Sequence, residues 1–575
     1  MQLRLSHLNT SRLHPNVLVA FAMIAWWIMN ILQGAMMELA DDEAYYWSWV
    51  FAPGGSLQWG YYDHPPMVAV LIWLSEWIGG ELGVRLAATT LLPLGLYLLW
   101  TLIRPKVPSL TQALTYCAIC FAMPPLQLYG LLALPDAPLL FFSILFLWAF
   151  VHYAQNPSVR NALITGIAMA LLGYSKYHGV LVVACCWLAQ YRLFRKPQTY
   201  WAFALALLLY LPHLYWQYQH QFATIAYHLA DRHKGFDINN PLQFCVNILL
   251  FFNPLLVYAI VKSWRPASTD NDDLMPKLSR WIIAGVCGFF FVASFRGSTQ
   301  AQWILPAILG IVSLLFYNNP KPNKTLKILL AISAVVMVAV RVLVILNPTN
   351  IKGQLWNNKE SYQAIAQMAH GNAVQFSGYT QAAKYTFYTG ELSSCVPVYY
   401  GRLSQWDYNQ TDTLMIGQPI IAESQDSPYA QQLPLPNGRI FNYTTVQQYF
   451  PIRNIRLIPL SAQQISFDTL LVSVSIDNPY PCAIHTTTSD TLMVGYHVYV
   501  HQHYQPSRYA LLRDTIPPHG TITQKFHIPI VHDIPQGCYP IGFTVKHKQY
   551  TPPIQSLTYP LQVSANGQWS VSTTR

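Results

Sequence analysis

The stretch VLVAFAMIAWWIMNILQGAMMELADDEAYYWSW, residues 17–49, frames the whole chain. Residues 17–36 carry no charged side chain, and about 20 apolar residues is what a helix needs to cross the hydrocarbon of a bilayer. Asp41, Asp42 and Glu43 follow, then a crowd of aromatics. The run is too long for a cleaved leader and no small-residue cleavage site follows, so it reads as a retained span.

Working outward, further apolar runs lie near 83–103, 109–129, 137–155, 161–175, 179–193, 199–216, 241–262, 279–295, 301–317 and 326–347. The expectation is a polytopic α-helical membrane protein with about eleven transmembrane helices, 161–175 and 179–193 being the shortest. Composition agrees: 53% of residues are hydrophobic and 10% charged, where soluble domains carry about 25% charged residues. The net charge of +10 invites a nucleic-acid reading. However, the excess lies in short loops between apolar runs and not in one groove or stripe, so no nucleic acid is expected as a partner.

Those loops give an orientation. Arg4 and Arg12 precede the first run, and every second loop is then basic: Arg104 and Lys106; Arg160; Arg192, Arg195 and Lys196; Lys262, Arg265, Lys277 and Arg280; Lys321, Lys324 and Lys327. By the positive-inside rule these segments are cytoplasmic, with the N-terminus among them, and the C-terminal part lies on the far side.

The first outer loop, about 37–82, has no Lys or Arg but holds Glu38, Asp41, Asp42, Glu43, Asp63, Glu76 and Glu81 among Tyr45, Tyr46, Trp47, Trp49, Trp59, Tyr61 and Tyr62. An interfacial aromatic belt accounts for part of the Trp and Tyr content but not for three consecutive acids. A carboxylate at the mouth of a span acts as a general base or holds a cation, against the plainer reading of a helix cap. In Asp63-His64-Pro65-Pro66, two prolines start a short helix, 66–79, suited to lying in the interface. An acid and an imidazole then stand at its N-terminus, where a phosphate is favoured. Asp136, in LALPDAPLL, is costly at a span end unless it faces water. The outer side has few cations: Arg85, Lys176, Arg232, Lys234 and Arg296. They offer what an anionic lipid phosphate needs, although snorkelling to headgroups is the bland alternative, and the default for Lys234. No phosphate-cradling G-x-x-x-x-G-K-[ST] loop and no G-x-G-x-x-G after a strand is present, which argues against an ATP-driven pump or a dinucleotide enzyme.

Residues 349–454 mix a helical pattern with the strand-like VQFSGY and suggest a small α/β domain. From 455 to 575 the pattern turns to alternating strands such as TLLVSVSI and TQKFHIPI, as in a β-sandwich. The remainder, 1–348, is the membrane domain. Six of the nine cysteines lie within apolar runs, as buried fillers. Cys482 and Cys538 flank the β region and are candidates for a disulfide in an oxidising compartment, with Cys395 left over.

The strings ELADDEAYYWSW, GYYDHPPMVAVL and ELGVRLAA together closely resemble the bacterial glycosyltransferases related to protein O-mannosyltransferases (a glycosyltransferase family 39-like group), among them the aminoarabinose transferase of lipid A. LPDAPLLFF, GYSKYHGVL, QAQWILPA and SGYTQAAKYTFYTG extend the resemblance over about 35–410. It implies the multispanning GT-C fold, a polyprenyl-phosphate-linked sugar donor, inversion at the anomeric centre, and a place in the bacterial cytoplasmic membrane. By that resemblance Asp42 is the catalytic base, accompanied by Glu43, and Asp136 is the second acidic position, which helps to place the acceptor or a cation. Tyr61, Asp63, His64, Arg85, Lys176 and, from the looser YHLADRH string, Arg232 fall at the donor phosphate. His64 stands where the lipid A enzyme has lysine. Gln302 stands where many relatives have histidine, which puts a metal ligand there in doubt; a divalent metal ion is a possible cofactor and no other is implied. Residues 455–575 lie outside the resemblance.

The function expected is transfer of a sugar to a lipid, glycan or protein acceptor at the outer face, with membrane lipids as surroundings. Two rivals are a secondary transporter and a membrane-anchored glycan-binding or assembly protein. The transporter would place its charges near mid-membrane, whereas these acids gather in one outer loop. The assembly protein would tolerate replacement of Asp42 and Asp136.

Overall fold

The computed structural model describes residues 14–226, 236–265, 274–348, 353–396, 403–424, 430–485, 492–500, 503–504, 508–547 and 554–573. The chain divides into two compact units, Met1–Val50 with Ser56–Trp356, and Phe51–Gly55 with Asn357–Arg575.

The first unit is helical. Its helices are α1 (Pro15–Met36), α2 (Asp41–Phe51), α3 (Met67–Ser75), α4 (Gly80–Ile103), α5 (Leu110–Phe121), α6 (Pro124–Tyr129), α7 (Asp136–Gln155), α8 (Val159–Ser175), α9 (Gly179–Ala189), α10 (Gln198–Gln219), the single turn α11 (Ala223–Ala226), α12 (Asn239–Phe251), α13 (Val257–Ser263), α14 (Leu274–Ser294), α15 (Ala307–Asn318) and α16 (Lys324–Leu346). Each of the eleven apolar runs folds as a helix or a broken pair. Among the described residues five helices (α1, α4, α7, α14 and α16) are long and apolar enough to cross a membrane, six when the bent pair Asn239–Phe251 and Pro254–Ser263 is taken as one span. The chain is a multi-pass membrane protein.

Local sequence sets the ends and breaks. Pro15 sits in the first turn of α1, where a missing N–H costs nothing. Ser109 and Gln112 close a capping box on α5, and Pro124 and Pro125 separate α5 from α6. The 83° bend between Asn239–Phe251 and Pro254–Ser263 is made at Asn253, which takes a left-handed φ of 68°. Its buried carboxamide donates to the Ala122 carbonyl and the Ser333 hydroxyl, at 2.8 and 2.9 Å, so the bend is anchored from both sides.

α16 presents most of its apolar side chains outward, Val335, Leu343 and Leu346 among them. Its link to the bundle is polar. Buried Arg341 donates to Gln127 Oε1 at 2.8 Å, Gln33 Oε1 at 2.6 Å and Asn30 Oδ1 at 2.9 Å, with a longer bond to the Gln127 carbonyl. Every acceptor is a neutral amide, an arrangement that leaves the guanidinium charge uncancelled by its direct partners.

In the second unit, α17 (Lys359–Ala369), α18 (Tyr379–Thr389) and α19 (Gln405–Asn409) accompany β1 (Ala373–Phe376), β2 (Ser393–Cys395), β3 (Ile420–Glu423), β4 (Gln431–Pro434) and β5 (Ile440–Val446). The sheet order is β2-β1-β3-β5-β4, with β1 parallel to both β2 and β3 and the β3–β5–β4 part antiparallel. A second sheet takes β6 (Arg456–Ser466), β7 (Thr469–Asp477), β8 (Leu492–Val500), β9 (His503–Tyr504), β10 (Arg508–Leu511), β11 (Thr521–Pro529), β12 (Gly537–His547), β13 (Ile554–Val563) and β14 (Trp569–Val571). Its order is β10-β8-β12-β13-β14-β6-β7-β11, with β9 on β8. A single register pair, Ser570 with Gln463, joins β14 to β6. Leu470, Val472, Val474 and Ile476 of β7 share one core with Val494, Tyr496 and Val498 of β8 and Ile541, Phe543 and Val545 of β12. The two parts of the sheet thus close on each other as sandwich layers do. Cys482 and Cys538 are free thiols, so the disulfide considered for them is not formed.

Candidate active site

α2 begins with Asp41, Asp42 and Glu43 in its first turn, where carboxylates complement the helix dipole. Asp42 is exposed and Glu43 fully buried. Glu43 reaches back to the Ala40 backbone N–H at 2.9 Å, as a third-position acid does in a capping box. The same carboxylate accepts from Arg85 Nε at 2.8 Å, from Arg85 Nη2 at 2.5 Å and from the Ala133 N–H at 2.8 Å. Glu43 therefore ties α2 to α4 and to the segment that leads into Asp136.

Arg85 is saturated. Its two bonds to Glu43 are joined by Nη1 bonds to the Gly34 and Met37 carbonyls, both 2.7 Å, and an Nη2 bond to the Glu38 carbonyl at 2.8 Å. A guanidinium has five N–H donors, and all five are used inside the protein. In this geometry Arg85 has no N–H left over for a donor phosphate, and the Glu43 carboxylate is spent on Arg85 and on the Ala40 and Ala133 N–H groups. Both side chains are wholly enclosed. The three carbonyls that hold Arg85 are backbone atoms at the C-terminal end of α1, which residue identity alone does not reveal.

The second ion pair differs. Lys176, just past the end of α8, donates to Asp136 Oδ1 and Oδ2 at 2.8 and 2.9 Å, with 6% of each side chain exposed. An ammonium has three N–H donors, so one remains after Asp136 is bonded. Asp136 itself opens α7.

Asp63 is buried and accepts from the Tyr45 hydroxyl at 2.7 Å. His64 is half-buried, with the Tyr46 ring 6.0 Å away. Tyr61 stacks on Trp49 at 4.4 Å, and its hydroxyl donates to the Ser56 carbonyl while accepting from the Gln58 N–H, both 3.0 Å. In this geometry the single Tyr61 proton is spent in its own loop, on the Ser56 carbonyl; burial holds the phenol well above its ordinary pKa. Glu76, past α3, accepts from Trp47 Nε1 at 2.8 Å while its other oxygen has no partner, and burial raises its carboxyl pKa. Trp73, Leu74, Trp77 and Ile78 around it are exposed. Arg232 lies outside the described residues.

Sequence reasoning overlooked a buried group beside Lys176. Tyr177 Oη meets His213 Nε2 at 3.0 Å, His213 Nδ1 meets the Trp59 carbonyl at 2.7 Å, and Gln217 Nε2 meets both Tyr177 Oη and Thr224 Oγ1 at 2.8 Å. Its only signal was polar side chains, His213 and Gln217, four apart on an apolar helix. As for metal, among the described residues no three His, Cys, Asp or Glu side chains form a group that could hold an ion. The divalent-metal expectation finds no such donor set among the described residues.

A family model described as dolichyl-phosphate-mannose-protein mannosyltransferase matches residues 63–216, the span that carries Asp63, Arg85, Asp136, Lys176 and His213. A lipid A galacturonosyltransferase of Rhizobium johnstonii is 26% identical over 320 residues, covering 51% of this chain and 64% of that one. A lipopolysaccharide core galacturonosyltransferase of the same organism is 26% identical over 224 residues, 35% of this chain and 45% of the relative. The solved structure of ArnT from Cupriavidus metallidurans in the apo state superposes with a TM-score of 0.54 at 14% identity, covering 75% of this chain and 97% of that one. The chain has the GT-C fold and is similar in sequence to glycosyltransferases. Its matches span less than two thirds of the length of these curated relatives. Within this GT-C fold the described candidate residues are joined by a few direct links: Arg85 to Glu43, Glu43 to the Asp136 segment, Asp136 to Lys176, and Tyr45 to Asp63.

Proposed function

We propose that the protein is an inverting glycosyltransferase that moves a sugar from a polyprenyl-phosphate donor to an acceptor at the outer face of a bacterial inner membrane. The observation that carries the reading is the Lys176–Asp136 pair: a nearly buried ammonium with one N–H unspent, on the segment that Glu43 ties to the helix bearing exposed Asp42. The donor phosphate binds at Lys176 and His64. Asp42 accepts the proton of the acceptor hydroxyl or amine as that atom bonds to the anomeric carbon from the opposite side. The bond from that carbon to the phosphate oxygen breaks, and its electron pair leaves with the lipid phosphate, whose growing charge the Lys176 ammonium stabilises where water is scarce. Arg85 and Glu43 act by holding α2 and the Asp136 segment in register.

The names of the curated relatives favour a lipopolysaccharide acceptor over a protein. The alternation of basic loops supports eleven crossings, a cytoplasmic N-terminus and an outer second unit, whose two sheets we assign to separate domains, 349–454 and 455–575. The test uses the full chain in nanodiscs, a panel of polyprenyl-phosphate sugars and native membrane extract as acceptor, with free polyprenyl phosphate followed by mass spectrometry. Wild type is expected to release it, and Asp42→Asn to fold normally and release at least a hundredfold less. Normal turnover by folded Asp42→Asn removes that residue as the base. Silence of the wild type across a broad donor panel removes the donor class.

A further inference from the structure

The group around His213 has a direction that can be read from its bonds. A backbone carbonyl only accepts, so the 2.7 Å contact with the Trp59 oxygen places the His213 proton on Nδ1. In the neutral ring Nε2 then accepts, and the 3.0 Å partner that supplies the proton is the Tyr177 hydroxyl. With its proton spent, the Tyr177 oxygen must accept from Gln217, which fixes the Gln217 amide with Nε2 toward Tyr177 and Thr224. Thr224 in turn donates to the Tyr61 carbonyl at 3.2 Å. The leftover atom is Gln217 Oε1, buried with no donor, as this direction requires. Two backbone carbonyls of the first outer loop, at Trp59 and Tyr61, are thereby held by α10 and α11 through a single polar line that also grips Tyr177. His213, Gln217 and Thr224 are each 1% exposed or less.

Packing makes the same junction tight. A Cβ on Gly60, between the two held carbonyls, would stand 2.5 Å from the Trp216 ring and 3.0 Å from His213 Nδ1. Trp216 Nε1 donates to Gln58 Oε1 at 3.0 Å. The loop is thus seated on α10 by hydrogen bonds on both sides of a residue that must lack a side chain. What it joins matters: on one side Lys176, adjacent to Tyr177 in sequence; on the other Asp63 and His64, two and three residues past Tyr61.

We propose that His213, as the neutral Nδ1–H tautomer, is a positioning residue that sets the Lys176 segment against the Asp63–His64 segment, so that both meet one donor phosphate. The inference rests on the donor reading given above. It touches no reacting atom; its effect passes through Tyr177 and the Trp59 carbonyl.

The test compares His213→Leu, Tyr177→Phe and their double variant in nanodiscs. Each single change is expected to raise the donor KM about tenfold, the scale of one buried hydrogen bond left unmade, with kcat within about threefold. The double variant should be no worse than the weaker single, because both break the same line. His213→Gln, whose amide supplies one donor and one acceptor, should recover part of the loss. Multiplying effects, or an unchanged donor KM, would overturn the proposal. Should His213→Leu fail to fold, Tyr177→Phe, which loses only a hydroxyl, decides the question alone. A readout independent of turnover separates this failure from failure of the donor reading. Nitrogen NMR of labelled histidine should show a ring with Nδ1 protonated and Nε2 bare, and Tyr177→Phe should perturb Nε2 alone. A protonated Nε2 sinks the proposal whatever the donor proves to be.

Discussion

Two buried ion pairs stand near each other in this molecule, and they are unlike. Around Arg85 and Glu43 every guanidinium N–H is bonded and nothing is exposed. Around Lys176 and Asp136 one N–H remains and both side chains reach solvent at their edges. The first pair is a clamp on backbone carbonyls at the end of α1; the second is a simple side-chain pair at the edge of the bundle, with no backbone carbonyl on Lys176 Nζ among the described residues. Counting donors, and not the residue types, tells them apart.

The sharpest way to break the comparison is to delete each pair whole. Replacing Arg85 by Met and Glu43 by Gln together strips the Gly34, Met37 and Glu38 carbonyls of their donors. Deleting Glu43 alone, as Glu43→Gln, leaves Arg85 enclosed with its charge unpaired, and we expect a loss of about 3–5 kcal/mol, read as a collapse of the thermal transition in detergent. A protein that melts as wild type would show the clamp to be idle. The matching double change at the other corner, Lys176→Met with Asp136→Asn, leaves no lone charge and no stripped carbonyl. It should keep the melting temperature within a few degrees while sugar transfer falls at least a hundredfold; retained transfer would put the phosphate elsewhere.

A smaller effect is expected at Glu76, which lies between the two cases with one oxygen on Trp47 and the other unfilled. Burial raises its pKa, so the fold favours the protonated acid. Its contribution is fully present below the ordinary carboxyl value and is lost as pH rises through the raised one. Glu76→Gln keeps an acceptor for Trp47 without the charge. Its stability should match wild type in acid and exceed it increasingly toward neutral pH; a gap independent of pH would mean that the carboxyl ionises freely.

The sequence made the membrane half legible because hydropathy is a local signal, and each apolar run indeed became a helix or a broken pair. The breaks were less legible. The bend at Asn253 is set by partners 131 and 80 residues away, Ala122 and Ser333, which no window along the chain contains. At the site, the acids and the scarce cations near them were found because charge is expensive there. Their pairing was not, since Glu43 meets Arg85 across 42 residues and Ala133 across 90. The family resemblance put Arg85 and Tyr61 at a phosphate; in the structure Arg85 spends its donors on Glu43 and on backbone carbonyls, and Tyr61 bonds backbone groups of its own loop. His213 went unremarked because a histidine on an apolar helix is more often a satisfied core residue than an actor, and its partners lie on three other segments.

The amide cradle of Arg341 bears on how the protein is made. Asn30, Gln33 and Gln127 all precede it in the chain, so α1 and α6 leave the ribosome long before α16. The nitrogens of those three amides have partners in the earlier chain, at Gly130, Met37 and Phe121, but the three amide oxygens would wait until α16 brings its guanidinium to them. α16 is held there by the well-filled Arg341 site and by the Asn253 bond to Ser333, so its arrival acts as a latch on the bundle. A nascent chain stopped short of residue 341 would present the same open acceptors that quality-control proteases and chaperones meet as exposed polar surface inside lipid.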